Sequence, residues 1–239
     1  MMIDVERILK MEHWRDEVIG YRIDERIRDR ILDRLISKHI DEALADGINI
    51  HDASLVMVSD KYGKVEDIGY NDPNDLILDN LGFLLAGYFE TPANNMNKTI
   101  TLKDVSNTSR TVYTWAYAGS SPSASPFYSS ITGGAGSSFQ IGSSSTAASR
   151  TDYAIKTAFT TAPENGRVST GAGSAGGGTV SVTGSLTSGG SGTIRETGLF
   201  LRLNVSSTGY EFMICRDVVT DTAFTAGKTI TVYYTFTFS

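Results

Sequence analysis

The chain closes on a run in which Ile230, Val232, Tyr234, Phe236 and Phe238 alternate with Thr229, Thr231, Tyr233, Thr235 and Thr237. Successive side chains of a strand point to opposite faces, so this period of two commits Lys228–Phe238 to a β-strand whose apolar row must be buried. At about 3.4 Å per residue the strand spans roughly 34 Å, longer than most strands of globular domains. No nucleophile or metal ligand is patterned around it. The feature points to a packed, assembling β-domain rather than an enzyme pocket.

With 239 residues and 40% hydrophobic content, the chain has enough apolar material for one large or two small domains. A net charge of -6 argues against broad nucleic-acid binding, which needs clustered Lys and Arg in excess of acids, so no direct sequence-specific nucleic-acid partner is expected. No apolar run approaches the roughly 18 residues of a membrane span. The opening Met1–Glu6 carries charge where a signal peptide needs an apolar stretch, so folding in the cytosol is expected. The lone Cys215 rules out an intramolecular disulfide and a thiolate metal cluster, and its strand-like surroundings predict a small buried hydrophobe. The sequons at Asn97, Asn107 and Asn204 are read as chance.

Charge concentrates in the first fifty residues, whereas Gly, Ser and Thr dominate from about residue 119. Tyr21–Ala45 contains neither Pro nor Gly, and Gly47 stands just beyond it, which predicts one helix about 37 Å long. Within it Ile23, Ile27, Ile31 and Leu35 recur every fourth residue. Four residues advance about 400°, so this row drifts about 40° per step and winds across the helix. Arg22, Arg26, Arg30 and Arg34 form a parallel basic row flanked by Glu25, Asp29 and Asp33. That row reads either as a solvated face neutralising itself or as a docking surface. Val5–Ile19 is expected to form a preceding helical segment, with Gly20 as the break.

Asp72-Pro73-Asn74-Asp75 reads as a turn or cap preceding a short apolar helix, Leu76–Phe89, expected to be buried. Asp60, Glu66, Asp67, Asp72, Asp75 and Asp79 lack the spacing of a calcium loop and read as a solvated acidic linker. Strands are expected at Thr99–Leu102, Arg110–Ala118, Phe139–Ile141, Tyr153–Phe159, Thr179–Thr187, Thr193–Leu203, Tyr210–Asp217 and Lys228–Phe238. Two Gly/Ser/Ala-rich stretches, Gly119–Ser149 and Ser169–Gly192, read either as mobile loops or as ordered loops packed on a neighbouring subunit. The fold class that sums these elements is α+β: an N-terminal helical segment followed by an antiparallel β-sandwich, jelly-roll-like. The expected division is 1–50 as a helical anchor, 51–92 as a linker with a short buried helix, and 93–239 as the sandwich.

Gly171-Ala172-Gly173-Ser174-Ala175-Gly176 matches the dinucleotide-binding glycine pattern, but a strand follows it where that motif needs a helix N-terminus. His13, His39 and His51 have no metal-site spacing. No serine sits in a nucleophile elbow, and the β-half contains no histidine to activate one. No catalytic residue, cofactor or metal site is therefore expected.

Several stretches together carry a resemblance. Phe139-Gln140-Ile141-Gly142 followed by a Gly/Ser/Thr loop and then Thr151-Asp152-Tyr153-Ala154-Ile155 resembles a segment recurrent in structural proteins of tailed phages and archaeal viruses. Arg195-Glu196-Thr197-Gly198-Leu199-Phe200 and Cys215-Arg216-Asp217-Val218, with Phe224, Ala226-Gly227 and the terminal strand, are similar to the closing hairpins of those proteins. Leu76–Leu81 is similar to their opening helix. The resemblance covers roughly Leu76–Ser239, and the charged helical N-terminus departs from it.

The resemblance implies a non-enzymatic β-sandwich virion protein: a tail, neck, adaptor, fibre-base or capsid-surface component assembled in the host cytoplasm. Its partners would be further copies of itself in a ring or fibre, and portal, adaptor or capsid proteins. The assembly surface would comprise Arg22, Ile23, Arg26, Ile27, Arg30, Ile31, Arg34 and Leu35. The alternative is a host-receptor or carbohydrate-binding module whose recognition aromatics are Tyr113, Trp115 and Tyr117, although alternating aromatics are more often core.

Overall fold

The computed structural model describes residues 14–24, 26–32, 34–35, 50–71, 78–89, 99–113, 137–170, 174–176, 179–205 and 208–238. These residues are mostly antiparallel β with a few short helices. The strands are β1 (Ile50–Ser59), β2 (Val65–Tyr70), β3 (Thr99–Lys103), β4 (Ser109–Tyr113), β5 (Ser137–Gly142), β6 (Val168–Ser169), β7 (Ser174–Gly176), β8 (Thr179–Thr187), β9 (Gly192–Val205), β10 (Thr208–Phe224) and β11 (Thr229–Phe238). One sheet has the order β2-β1-β11-β8-β7 and a second the order β10-β9-β5-β6, while β3 and β4 form a separate hairpin.

The alternation in β11 sets the layers. Ile230, Val232, Tyr234 and Phe236 turn inward and share one buried cluster with Phe139, Leu199 and Phe212 of the second sheet. The other face of the first sheet, including Ala53, Leu55, Met57 and Tyr233, is covered by Trp14, Val18, Ile31, Leu32 and Leu35. β11 lies between β1 and β8, with Val232 opposite Val56 on one side and Gly184 on the other. It is thus an interior strand, and each fully buried Val or Ile on it contributes about 1.5–3 kcal/mol.

A bulge in β10 controls which side chains reach the inside. The pairing shifts between Met213 and Cys215, so Ile214 and Cys215 both enter the inter-sheet core. A bulge places two residues of one strand against one of its partner and inverts the alternation beyond it. Met213 therefore lies on the outer face with Phe200 and Leu78. Arg216 also faces outward, while Cys215 and Asp217 turn toward the first sheet.

The structure departs from several expectations. The helix expected over Tyr21–Ala45 does not begin at Tyr21. Tyr21 O accepts from Val65 N at 2.9 Å and Arg22 bridges to Lys64, so the chain first runs along β2. Helix covers 26–32 and positions 34 and 35, with the Asp24 carboxylate accepting from Ile27 N at 3.0 Å as an N-cap. Residues 36–45 lie outside the described residues, as does Val5–His13 of the segment before it; Trp14–Val18 of that segment is helical.

The stretch 51–92, expected as a linker, carries β1 and β2. Ala53, Leu55, Val56, Met57 and Val58 are buried because β1 is covered on both faces, which erases the period-two signature. Nor are all the acids solvated. Asp67 accepts from Arg15 Nη2 at 2.6 Å and from Ala223 N at 2.6 Å.

The strand expected at Tyr153–Phe159 is a loop joined to β5 only by the Gly142–Ala158 bridge. Its Lys156 and Thr157 N–H groups donate to the Glu196 carboxylate at 3.1 and 2.8 Å, so a side chain replaces a ladder partner. The apolar helix is Asp79–Phe89, and its burial is one-sided: Leu81 and Leu84 are buried but Phe83 is 52% exposed.

Candidate functional site

Cys215-Arg216-Asp217 of β10 presents chemistry to both faces of the second sheet. On the outer face Arg216 is fully buried. Its Nε donates to Glu196 Oε2 at 2.8 Å, and Nη2 lies 2.8 Å from the same oxygen. Nη1 donates to Asp152 Oδ2 at 3.0 Å and to Ala147 O at 3.3 Å, and Nη2 donates to Thr146 O at 2.9 Å. These contacts match the five donors of a guanidinium.

Glu196 Oε1 also accepts from Ser144 N at 3.3 Å, and Asp152 Oδ2 accepts from Ser149 N at 3.0 Å. A Cβ at Gly142 would lie 2.6 Å from Glu196 Oε1, so only glycine lets β5 pass this close to the carboxylate. The 143–157 loop is thereby pinned to the sheet by charge from beneath.

On the inner face the Cys215 thiol lies 2.9 Å from Asp52 Oδ2 of β1 and 3.0 Å from Asp217 Oδ1. All three side chains are buried, and their ligand atoms lie within 4.8 Å of one another. Burial pushes the thiol well above its ordinary range, and the Asp217 and Asp52 carboxylates add to the effect. A thiol held protonated is a poor nucleophile.

Beside it the Tyr234 and Thr197 hydroxyls are 2.7 Å apart. Burial first, and then the Asp217 charge, raise the Tyr234 phenol well above its usual value. Ser54, next after Asp52 on the inward face of β1, has its N–H bonded to Asn71 Oδ1 at 3.1 Å. The centre thus joins β1, β9, β10 and β11 across the two sheets.

The residues expected to form the assembly surface divide by face. Arg22, Arg26, Arg30 and Arg34 are exposed, Ile23 and Ile27 are half-buried, and Ile31 and Leu35 are buried against the first sheet of the same chain. Tyr113 ends β4, whereas Trp115 and Tyr117 lie outside the described residues. His13 and His39 also lie outside them.

Gly171–Gly173 is outside as well, but Ser174–Gly176 pairs with β8 as a strand instead of opening a helix. Sequence reasoning did not single out Asp52, Asp152, Glu196, Arg216 or Asp217 as a constellation. The available signal was charge inside otherwise apolar strands, as in Ile194-Arg195-Glu196-Thr197 and Ile214-Cys215-Arg216-Asp217. Comparison of the chain with protein families, curated proteins and solved structures finds no match.

Proposed function

We propose that the protein is a non-enzymatic structural component of a virus particle, a jelly-roll-like β-sandwich that assembles with copies of itself and docks through its N-terminal helices. One observation carries this reading. The segments that resemble virion proteins, Phe139–Ile155, Arg195–Phe200 and Cys215–Val218, are far apart in sequence yet meet at one place. Asp152 comes from the first, Glu196 from the second and Arg216 from the third, and together they form one buried ionic lock.

A set of motifs that maintains an architecture is what a family of building blocks would share, since breaking such a lock leaves uncompensated buried charge. The N-terminal layer fits a docking role. Its apolar row holds it to the first sheet, and Arg22, Arg26 and Arg34 face outward from a fixed platform. In a tail, neck, adaptor, fibre-base or surface position these arginines would meet acidic groups of a portal, adaptor or capsid partner.

Light scattering coupled to size-exclusion chromatography tests the self-assembly. A discrete homo-oligomer is expected. A protein that stays monomeric at every accessible concentration contradicts the proposal.

A further inference from the structure

We infer that Asp52, Cys215 and Asp217 bind one divalent transition-metal cation of the zinc type between the two sheets. The three ligand atoms converge from two strands of opposite sheets within 4.8 Å of one another, and all three residues are buried. Tetrahedral zinc bound to oxygen and sulfur at about 2.0–2.3 Å holds its ligands roughly 3.5 Å apart. From the present contacts of 2.9 and 3.0 Å, an opening of roughly half an ångström admits the ion.

Proton counting points the same way. One thiol carries one proton and can donate to one carboxylate at a time, yet Sγ touches two. A cation at the centre satisfies both contacts together: the thiol proton leaves to water as the metal–sulfur bond forms, and each carboxylate supplies an oxygen.

A second, independent observation lies alongside. Among the described residues, Ser54 Oγ and Asn71 Nδ2 are buried without a hydrogen-bond partner, and both side chains are 0% exposed. Ser54 follows Asp52 on the inward face of β1 and sits opposite Tyr234. In the proposed site the Ser54 hydroxyl is the fourth ligand or the partner of a metal-bound water. Buried polar groups left open in a native core call for an ion or a water. The thiolate selects zinc-type ions over calcium and magnesium, which prefer oxygen alone.

The test uses the full chain, stripped with a chelator and then equilibrated with zinc or cobalt(II). One zinc per chain by elemental analysis is expected, with the thermal midpoint rising as free zinc increases. The cobalt form should show a sulfur-to-metal charge-transfer band, and Cys215→Ser and Asp217→Asn should each abolish stoichiometric uptake. If these variants fail to fold, the cobalt spectrum of the unaltered protein still decides. A natural chain that takes up neither ion overturns the proposal and leaves the carboxylates and thiol sharing protons instead.

Discussion

Arg216 Nη2 and Glu196 Oε2 are 2.8 Å apart with both side chains fully removed from solvent. The pair lies between neighbouring strands, since Arg216 is opposite Gly198 and Glu196 opposite Val218. Through Thr146 O, Ala147 O and Asp152 the same guanidinium fastens the loop above. A surface pair contributes at most about 1 kcal/mol. A buried one is decisive chiefly when one partner is removed.

Arg216→Ala leaves Glu196 and Asp152 buried without their cation and should lower unfolding free energy by about 3–5 kcal/mol in urea titration. Loss of the anchor should also speed tryptic cleavage at Arg150, which lies in the loop so released and whose side chain is 68% exposed in the intact fold. Unchanged stability and cleavage would show that the lock is not structural.

Asp104 gives the acid limb of stability. Its Oδ1 accepts from Ser106 N and Thr108 N, each at 2.9 Å, and its Oδ2 accepts from Arg110 Nε at 2.8 Å. Burial alone would raise this carboxyl, but Arg110 and the two N–H groups outweigh it and hold it below its ordinary value. A folded value below the unfolded value of about 3.9 means that the contribution is present above that pH and is lost as pH falls through the folded value. Thermal midpoints measured across this acid range should fall less steeply for Asp104→Asn than for the natural chain.

The N-terminal layer lets the proposed docking be tested apart from stability. Ile31→Ala removes a side chain that is 1% exposed and should cost about 2–5 kcal/mol in denaturant melts. Arg26→Glu and Arg34→Glu alter exposed positions and should shift stability by less than about 0.5 kcal/mol. The same two changes should weaken incorporation into particles, scored by co-sedimentation.

Removing 229–239 takes β11 from between β1 and β8 and opens two interior edges at once. The truncated chain should be insoluble on expression. A soluble, monodisperse product with the natural thermal midpoint would contradict the interior placement of β11.

The sequence was legible where one face of a strand is buried and the other is not. β8 spans the Thr179–Thr187 that alternation predicts, and β11 starts one residue inside its expected range. β1 was illegible because helices cover one face and the second sheet the other, so Leu55-Val56-Met57-Val58 shows no period. The buried charges were illegible for a different reason. Only the bulge between Met213 and Cys215 sends Arg216 outward and Asp217 inward, and nothing in the residue order marks its position.

That this chain is a building block of a virus particle is tested most directly by quantitative mass spectrometry of gradient-purified particles from the culture in which it is made. The expected result is peptides of this chain at a fixed ratio to the major shell protein, retained after high-salt washing. Intact, infectious particles that contain none of it would contradict the proposed role.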